Sequence, residues 1–203
     1  MAPGPGRLLD PGMDRAWVEL LEAAARRPRG VATLFPTSRA LARRLAAVVE
    51  AEPPGPVVEL GPGAGAITRV LAPVVRGLFT ALEVDPVLVR FLTGRFPAVT
   101  VRSAPAEALL RHVDRGSLAA VVASLPWTVI PTLARERILG AVRAALRPGG
   151  VFATYLCLNA LAHPGGRSFE GRVRAHFDGV DTRVIEWRNV PPARVIVGRA
   201  GAG

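Results

Sequence analysis

The chain has 203 residues, of which 50% are hydrophobic and 21% charged, and this composition excludes an intrinsically disordered polypeptide. The length predicts a single domain, large enough to bury a core. A formal net charge of +10 predicts an anionic partner, either a nucleic acid or an anionic membrane surface.

Two helices are predicted ahead of the first strand. The first, Met13 to Arg27, has an apolar stripe along one face and charged residues on the other. The second ends near Glu50, with Thr37 or Ser38 as its N-cap. Between Ala23 and Val49 there are six arginines and no acidic residue. These features favour docking on an anionic membrane surface, although a helix that packs on a sheet would need the same stripe.

Strand-like and helix-length segments alternate through the rest of the chain. The strand-like segments are PVVEL, GLFTALEV, VTVRS, LAAVVASL, GVFATYLCL, TRVIEWR and ARVIVG. The helical segments are Ala66–Val75, Pro86–Arg95, Ala106–His112 and Thr132–Leu146. The alternation predicts a seven-stranded, mostly parallel α/β sheet with helices on both faces. The short connection from Asn189 to Pro192 predicts a hairpin, and therefore an antiparallel last strand. We divide the chain into an N-terminal helical extension, 1–52, and the sheet domain, 53–203.

The segment VVASLPWTVIP, Val121 to Pro131, lies within an uncharged run from Gly116 to Ala134. The run is long enough to be considered as a membrane span, but its two prolines and its Ser-Leu-Pro break argue against one. A buried parallel strand that ends in a functional loop explains the pattern better.

A glycine-rich turn, GPGAGAIT, follows the first strand directly and leads into a helix. Such a turn lets backbone N–H groups approach a ligand closely, and both a dinucleotide and S-adenosylmethionine fit it. The carboxylate of Glu59 precedes the first glycine; it would repel a pyrophosphate and suits the cationic end of S-adenosylmethionine. Glu83, at the end of the second strand, can accept hydrogen bonds from a ribose diol.

These motifs resemble the class I S-adenosylmethionine-dependent methyltransferases, and most closely the bacterial phospholipid (phosphatidylethanolamine) N-methyltransferases. The resemblance rests on RRPRGVATLFPTSRALARRLA, VVELGPGAGAITRVL, ALEVD, SLPW and NVPPARVIV. The ribosomal RNA adenine dimethylases are more distantly similar. The resemblance implies a Rossmann-like fold and S-adenosyl-L-methionine as the cofactor.

The resemblance also assigns residues to the cofactor site. They are Glu59, Gly61, Gly63 and Gly65 for the methionine part, Glu83 for the ribose, and Val84, Ala104 and Ser124 around them. The chain departs from the family at Ser103-Ala104-Pro105, where the family usually has Gly-Asp-Ala. The adenine would then be recognised by backbone groups, by Ser103 or by Glu107.

The loop Ser124-Leu125-Pro126-Trp127 is expected to receive the substrate. Adenine methyltransferases typically have Asn or Asp, Pro, Pro, and Tyr or Phe there, whereas phospholipid enzymes have Gly-Leu-Pro-Leu or similar. Trp127 would stack on a base or lie beside an acyl chain. Tyr155, at the end of the fifth strand, would orient the amine or a phosphate, unless it is simply packed in the core. Ser124 and Leu125 are the other candidate catalytic residues. Arg194 matches an arginine of the family and would bind a phosphate.

The sequence thus predicts a peripheral membrane enzyme that methylates a phospholipid amine such as phosphatidylethanolamine. An alkylamine with a pKa near 10 must first lose its proton, at a cost of roughly 4 kcal/mol at pH 7. The alternatives are an RNA adenine N6-methyltransferase, a small-molecule methyltransferase, or a protein that has kept the fold and lost the cofactor. No metal is expected, because the three histidines have no metal-ligand spacing. The single cysteine and the absence of a signal peptide predict a cytoplasmic protein at the inner face of the cell membrane.

Overall fold

A computed structural model describes residues 37–162 and 164–201, which lie in one compact unit. The predicted helix Met13–Arg27 lies outside the described residues. The α-helices of the described part are α1 (Arg39–Glu50), α2 (Thr68–Leu71), α3 (Pro86–Arg95), α4 (Thr132–Ala145) and α5 (Pro164–His176). Two 3-10 helices span Ala106–Arg111 and Leu158–Ala162. The strands are β1 (Val57–Leu60), β2 (Phe79–Glu83), β3 (Thr100–Ser103), β4 (Leu118–Ala123), β5 (Leu146–Cys157), β6 (Gly179–Asp181), β7 (Ile185–Glu186) and β8 (Ala193–Arg199).

The strands form one sheet in the order β3-β2-β1-β4-β5-β8-β6, with β7 paired to β8. The first five strands are parallel to one another, whereas β8 runs antiparallel to β5, β6 and β7. This arrangement confirms the predicted mostly parallel sheet with an antiparallel last strand. Because strand order reverses between β1 and β4, their carboxyl ends border the crevice where ligands bind in open α/β sheets.

The end of the sheet differs from the sequence prediction. The segment TRVIEWR, 182–188, was expected to be one strand, but only Ile185–Glu186 pairs with β8 and the edge strand is Gly179–Asp181. The Asp181 carboxylate accepts hydrogen bonds from the backbone N–H of Arg183, at 2.9 Å, and from its guanidinium. An aspartate that binds the backbone two residues later turns the chain, which explains the break between the two short strands.

Helix α5 was not predicted from the sequence. Its first turn contains Gly165 and Gly166. Glycine has low helix propensity, so the segment does not read as helical from its sequence. The buried residues Gly166, Phe169 and Val173 recur at helical spacing and pack the helix on the sheet. The tertiary contacts of this face therefore outweigh the weak local preference.

Each face of the sheet carries its own apolar layer. One face packs against α1 and α2, and the other against α4 and α5. Ser38 caps α1, as predicted, by accepting a hydrogen bond from the N–H of Leu41 at 3.2 Å. Leu41 and Leu45 of α1 are completely buried on the sheet, which stabilises the fold by about 1.5–3 kcal/mol per side chain. The described part of the predicted N-terminal extension is thus a layer of the sheet domain.

None of the helices within 37–162 and 164–201 is long and apolar enough to cross a membrane. The same described residues contain no cluster of three or more His, Cys, Asp or Glu side chains suited to a metal ion.

Candidate active site

The glycine turn after β1 adopts the backbone geometry that its sequence predicts. Gly61, Gly63 and Gly65 have φ angles of 67°, 57° and 81°, in the left-handed region that favours glycine. A Cβ on Gly61 would lie 2.6 Å from Leu125 Cδ2, and one on Gly65 would lie 2.5 Å from the ring of Phe96. A Cβ on Gly63 would meet no atom within 4 Å. Gly61 and Gly65 are therefore needed for packing, whereas Gly63 leaves open space for a ligand.

Glu59 is the most unusual charged residue of this site. Its side chain is completely buried at the end of β1, and Oε2 accepts a hydrogen bond from Thr68 Oγ1 at 2.7 Å. The other oxygen, Oε1, is buried without a hydrogen-bond donor in the described part of the chain. Burial raises the pKa of Glu59 from 4.5 to about 8, and the nearby charge of Glu83 adds to this effect. A cationic group brought to Oε1 would satisfy this oxygen and stabilise the ionised form.

Glu83 is held at the end of β2 by backbone groups. Its Oε2 accepts from the N–H of Gly63 at 3.0 Å, and Oε1 accepts from the N–H groups of Val84 and Asp85 at 2.8 and 3.0 Å. A carboxylate has about four acceptor positions, so Oε2 retains one for a hydroxyl. The Val84 side chain is 62% exposed, and Ala104 is buried with its N–H donating to the Glu83 carbonyl.

The positions predicted to read an adenine ring flank Ala104. Ser103, the last residue of β3, and Glu107, in the 3-10 helix that follows, are both exposed. Ala104 itself offers only a methyl group and backbone atoms, so the means of adenine recognition stays a prediction.

Three hydroxyl groups meet at the carboxyl ends of β4 and β5. The Tyr155 hydroxyl lies 3.1 Å from Ser124 Oγ and 3.0 Å from Thr37 Oγ1. The Ser124 N–H donates to the carbonyl of Leu60, which places this loop beside the glycine turn. Burial raises the pKa of Tyr155, so the phenol is protonated at neutral pH. We call Thr37, Ser124 and Tyr155 the hydroxyl cluster.

Sequence reasoning proposed two members of the hydroxyl cluster and missed the third. Ser124 and Tyr155 were predicted from strand ends, and the structure brings them together. Thr37 was considered only as a helix cap, and 118 residues separate it from Tyr155. Leu125 lies where predicted, with its side chain over Gly61.

Trp127 was predicted to contact the substrate, and this prediction is wrong. The side chain is only 1% exposed and its ring stacks on Phe169 with centroids 4.5 Å apart. Its Nε1–H donates to Thr154 Oγ1 at 2.8 Å, and this hydroxyl donates to the Ala123 carbonyl. A buried tryptophan with its N–H paired is a core residue.

Arg194 was predicted to bind a phosphate, and the structure gives it another partner. Its guanidinium donates to Glu170 Oε1 of α5 at 2.7 Å. Alternation along β8 places Arg194 on the α5 face, because its neighbour Val195 packs in the layer that includes Tyr155. Arg194 therefore lies across the sheet from the hydroxyl cluster.

Exposed apolar side chains lie at the edge of the sheet that carries the site. Large hydrophobic residues more than half exposed at this edge are Val84, Val129, Leu133, Trp187 and Val190. Leu78, before β2, is exposed at the opposite edge. We call the five residues the apolar rim; sequence reasoning singled out only Val84 among them, and for another role.

The sheet order and the glycine turn at the end of β1 define the Rossmann-like fold of S-adenosylmethionine-dependent methyltransferases. A precorrin-6y C5,15-methyltransferase from Geobacter metallireducens GS-15 superimposes with a TM-score of 0.62 at 17% identity, over 82% of this chain and 94% of that one. The N-methyltransferase NodS from Bradyrhizobium japonicum WM9 gives 0.62 at 14% identity, over 80% and 94%. These similarities establish the fold.

Sequence comparison finds ribosomal RNA methyltransferases. An rRNA adenine N-6-methyltransferase from Streptomyces fradiae is 35% identical over 56% of this chain and 33% of its own length. Ribosomal RNA small subunit methyltransferase A from Thermobifida fusca is 33% identical over 53% of this chain and 45% of its own. The same enzyme from Chlorobium phaeobacteroides is 36% identical over 33% and 24%. The chain thus spans between a quarter and just under half of these relatives, and no family model matches it.

Proposed function

We propose that this chain is an S-adenosylmethionine-dependent N-methyltransferase that acts on the exocyclic amine of an adenine in RNA. The observation that carries the proposal is the meeting of two groups at one sheet edge. The half-satisfied carboxylate of Glu59 lies beside the glycine turn, and the hydroxyl cluster lies next to that turn.

The residues at the glycine turn fit S-adenosylmethionine. Glu59 Oε1 would accept from the α-ammonium group, the open side of Gly63 would admit the methionine part, and Glu83 would accept from a ribose hydroxyl. When bound, the cofactor supplies an electrophilic methyl group on a sulfonium. The chain contributes position: the turn and the loop at Ser124 are in contact, so donor and acceptor would be held close together.

The hydroxyl cluster suits a neutral aromatic amine better than an alkylammonium ion. Because the pKa of Tyr155 is raised, the phenol cannot remove a proton at neutral pH, but its oxygen can accept a hydrogen bond. Ser124 Oγ and the Ser124 carbonyl are further acceptors beside the turn. An adenine amine needs only such acceptors to orient its two N–H groups, whereas an alkylamine also needs a base.

The named relatives support the same substrate. They are methyltransferases of ribosomal RNA, and the Streptomyces fradiae protein is named for the adenine N-6 position. The net charge of +10 would strengthen binding to a phosphate backbone.

Label transfer from methyl-labelled S-adenosylmethionine tests the proposal. We expect label in N6-methyladenine after incubation with total RNA, and a Tyr155→Phe variant should lose rate while it keeps cofactor affinity. This substitution retains the aromatic ring and removes only the hydroxyl, so packing is matched between the variant and the wild type. No RNA label from wild-type protein that binds the cofactor would overturn the substrate assignment. Absence of cofactor binding would overturn the enzyme assignment as a whole.

A phospholipid amine is the second candidate substrate, and the apolar rim favours it. The rim places exposed valine, leucine and tryptophan side chains at the sheet edge that carries the site, and these suit the surface of a bilayer better than a polyanion. Ser124 also stands where adenine methyltransferases typically have an asparagine or aspartate. In this case the protein would work at the inner face of the cell membrane. Label in mono- or dimethylated lipid from anionic vesicles containing phosphatidylethanolamine, with none in RNA, would establish this candidate.

A further inference from the structure

The turn Asn189-Val190-Pro191-Pro192 contains a buried asparagine whose side-chain oxygen and nitrogen are both hydrogen-bonded. Asn189 is 3% exposed, and its Oδ1 accepts a hydrogen bond from the backbone N–H of Ser38 at 2.9 Å. Its Nδ2 donates to the Pro191 carbonyl at 2.7 Å. The side chain therefore ties the β7–β8 turn to the start of α1, across 151 residues of sequence.

A second contact fastens the same helix to β7, the strand that leads into this turn. Arg44 Nε lies 3.3 Å from Glu186 Oε2, and the Glu186 side chain is largely buried. Glu186 Oε1 accepts from the N–H of Arg188 at 3.0 Å. The two contacts involve Ser38 and Arg44, so the first half of α1 is held against β7 and the turn that follows it.

The residue next to Ser38 belongs to the active site. Thr37 Oγ1 lies 3.0 Å from the Tyr155 hydroxyl, and Ser38 N is bound to Asn189. Adjacent residues share a planar peptide unit, so anchoring the N–H of Ser38 also fixes the carbonyl of Thr37 and limits the freedom of its side chain.

We propose that Asn189 is a positioning residue, which acts through the backbone of Ser38 to hold Thr37 against Tyr155 and thereby fixes the orientation of the phenol at Ser124. The catalytic meaning of this chain of contacts rests on the proposed methyltransferase function; the contacts themselves do not. A phenol has one proton and two acceptor positions, and two hydroxyl neighbours restrict which of them remains for an amine. The hydroxyls of Thr37 and Ser124 contact the phenol directly. The ionisable side chains that interact with it electrostatically are Cys157 and Glu59.

The chain offers a selective probe because Tyr155 is its only tyrosine. Protein labelled with carbon-13 at the tyrosine ζ carbon would give one NMR signal at neutral pH, whose position depends on the hydrogen bonds of the phenol oxygen. Thr37→Val removes the hydroxyl and keeps the shape, so it should shift the signal. Thr37→Ser retains the hydroxyl and should restore the wild-type position.

Asn189→Ala should shift the signal in the same direction as Thr37→Val, although it does not touch the tyrosine. In the double variant, Asn189→Ala should add nothing, since Thr37 has already lost its hydroxyl. Ser38→Ala is the matched control. It removes the side chain that caps the helix and keeps the backbone N–H at position 38, which still binds Asn189. This control should weaken α1 and leave the tyrosine signal in place.

A wild-type signal in a folded Asn189→Ala variant would overturn the proposal, as would an undiminished shift in the Thr37→Val background. If Asn189→Ala does not fold, Asn189→Asp keeps the acceptor for Ser38 and must retain the wild-type signal. Once the methylated substrate is known, kcat should fall on the order of tenfold to a hundredfold in Asn189→Ala, with cofactor affinity unchanged. The NMR result stands without activity, so a failure of the proposed function would be seen separately.

Discussion

Replacing Glu59 by glutamine tests whether a buried, desolvated carboxylate lies at the glycine turn. The pKa of Glu59 is raised from 4.5 in the unfolded chain to about 8 in the folded protein. Below pH 4.5 the carboxyl is protonated in both states and costs nothing. As pH rises from 4.5 to 8 the unfolded state releases a proton that the folded state retains, so the wild-type free energy of unfolding decreases; above pH 8 the loss is complete.

A glutamine side chain does not titrate, so the wild-type loss should vanish in the variant. The difference in unfolding free energy between Glu59→Gln and wild type should increase by about 3.5 kcal/mol from pH 5 to pH 8, as an upper limit. The new amide N–H₂ would stand at the position of Glu59 Oε1, which has no hydrogen-bond partner among the described residues, and it costs about 1–3 kcal/mol at every pH. This cost offsets the stability curve of the variant from that of wild type by a constant amount and leaves the slopes unchanged. The variant should therefore be less stable than wild type at pH 5 and more stable at pH 8.

Urea unfolding of the cofactor-free proteins at several pH values measures this difference directly. Thr68→Val changes the same carboxyl in the opposite sense. It removes a hydrogen bond that lowers the pKa of Glu59, so this pKa should rise further and the unfolding free energy of the variant should keep decreasing above pH 8. S-adenosylmethionine should raise the melting temperature of wild type more than that of Glu59→Gln, because the variant lacks the charge that receives the ammonium group. Parallel stability curves for wild type and Glu59→Gln would show that the carboxylate is not held in an apolar environment.

Five further substitutions test the assignments of individual residues. Trp127→Ala should lower the unfolding free energy in urea by about 3–5 kcal/mol, as expected for a core ring, whereas a stable variant with weakened substrate binding would return this residue to the site. Gly63→Ala should cost about 1–2 kcal/mol of stability and block cofactor binding measured by calorimetry, while Gly65→Ala should destabilise more, because its Cβ also meets a ring at 2.5 Å. Arg194→Met and Glu170→Gln should each cost about 1–3 kcal/mol, because the partner left behind is partly buried, and both should leave methyl transfer intact; loss of transfer in a folded Arg194→Met variant alone would support a phosphate role.

The parts of the fold and the site that could be predicted from the sequence depend on residues that are close together along the chain. Glu59 and the three glycines lie within one strand and one turn, so their spacing alone placed them together. The start of α1 was predicted for the same reason, since Ser38 caps the helix that follows it. The helix at 164–176 was missed because its burial depends on the sheet beneath it rather than on local propensity.

Contacts between distant residues could not be predicted in this way. Thr37 reaches Tyr155, and Asn189 reaches Ser38, only after the sheet has brought β5 and the β7–β8 turn beside α1. Nothing in the local sequence of a threonine before a helix distinguishes a cap from a member of an active site. The NVPP motif likewise predicts a hairpin, but nothing in it indicates that the asparagine is buried.

The uncharged segment from Gly116 to Ala134 shows how an absence of charge can be misinterpreted. Its loop, Ser124 to Trp127, is expected from the sequence to receive the substrate, but β4 is buried along its whole length and Trp127 packs beneath the loop against Phe169. The lack of charge thus reflects the core and says little about the substrate. What argues for a bilayer is the apolar rim, whose side chains come from four separate loops and helix ends. What argues for RNA is the pair of acceptor hydroxyls at Ser124 and Tyr155, which lie beside the glycine turn, together with the named relatives.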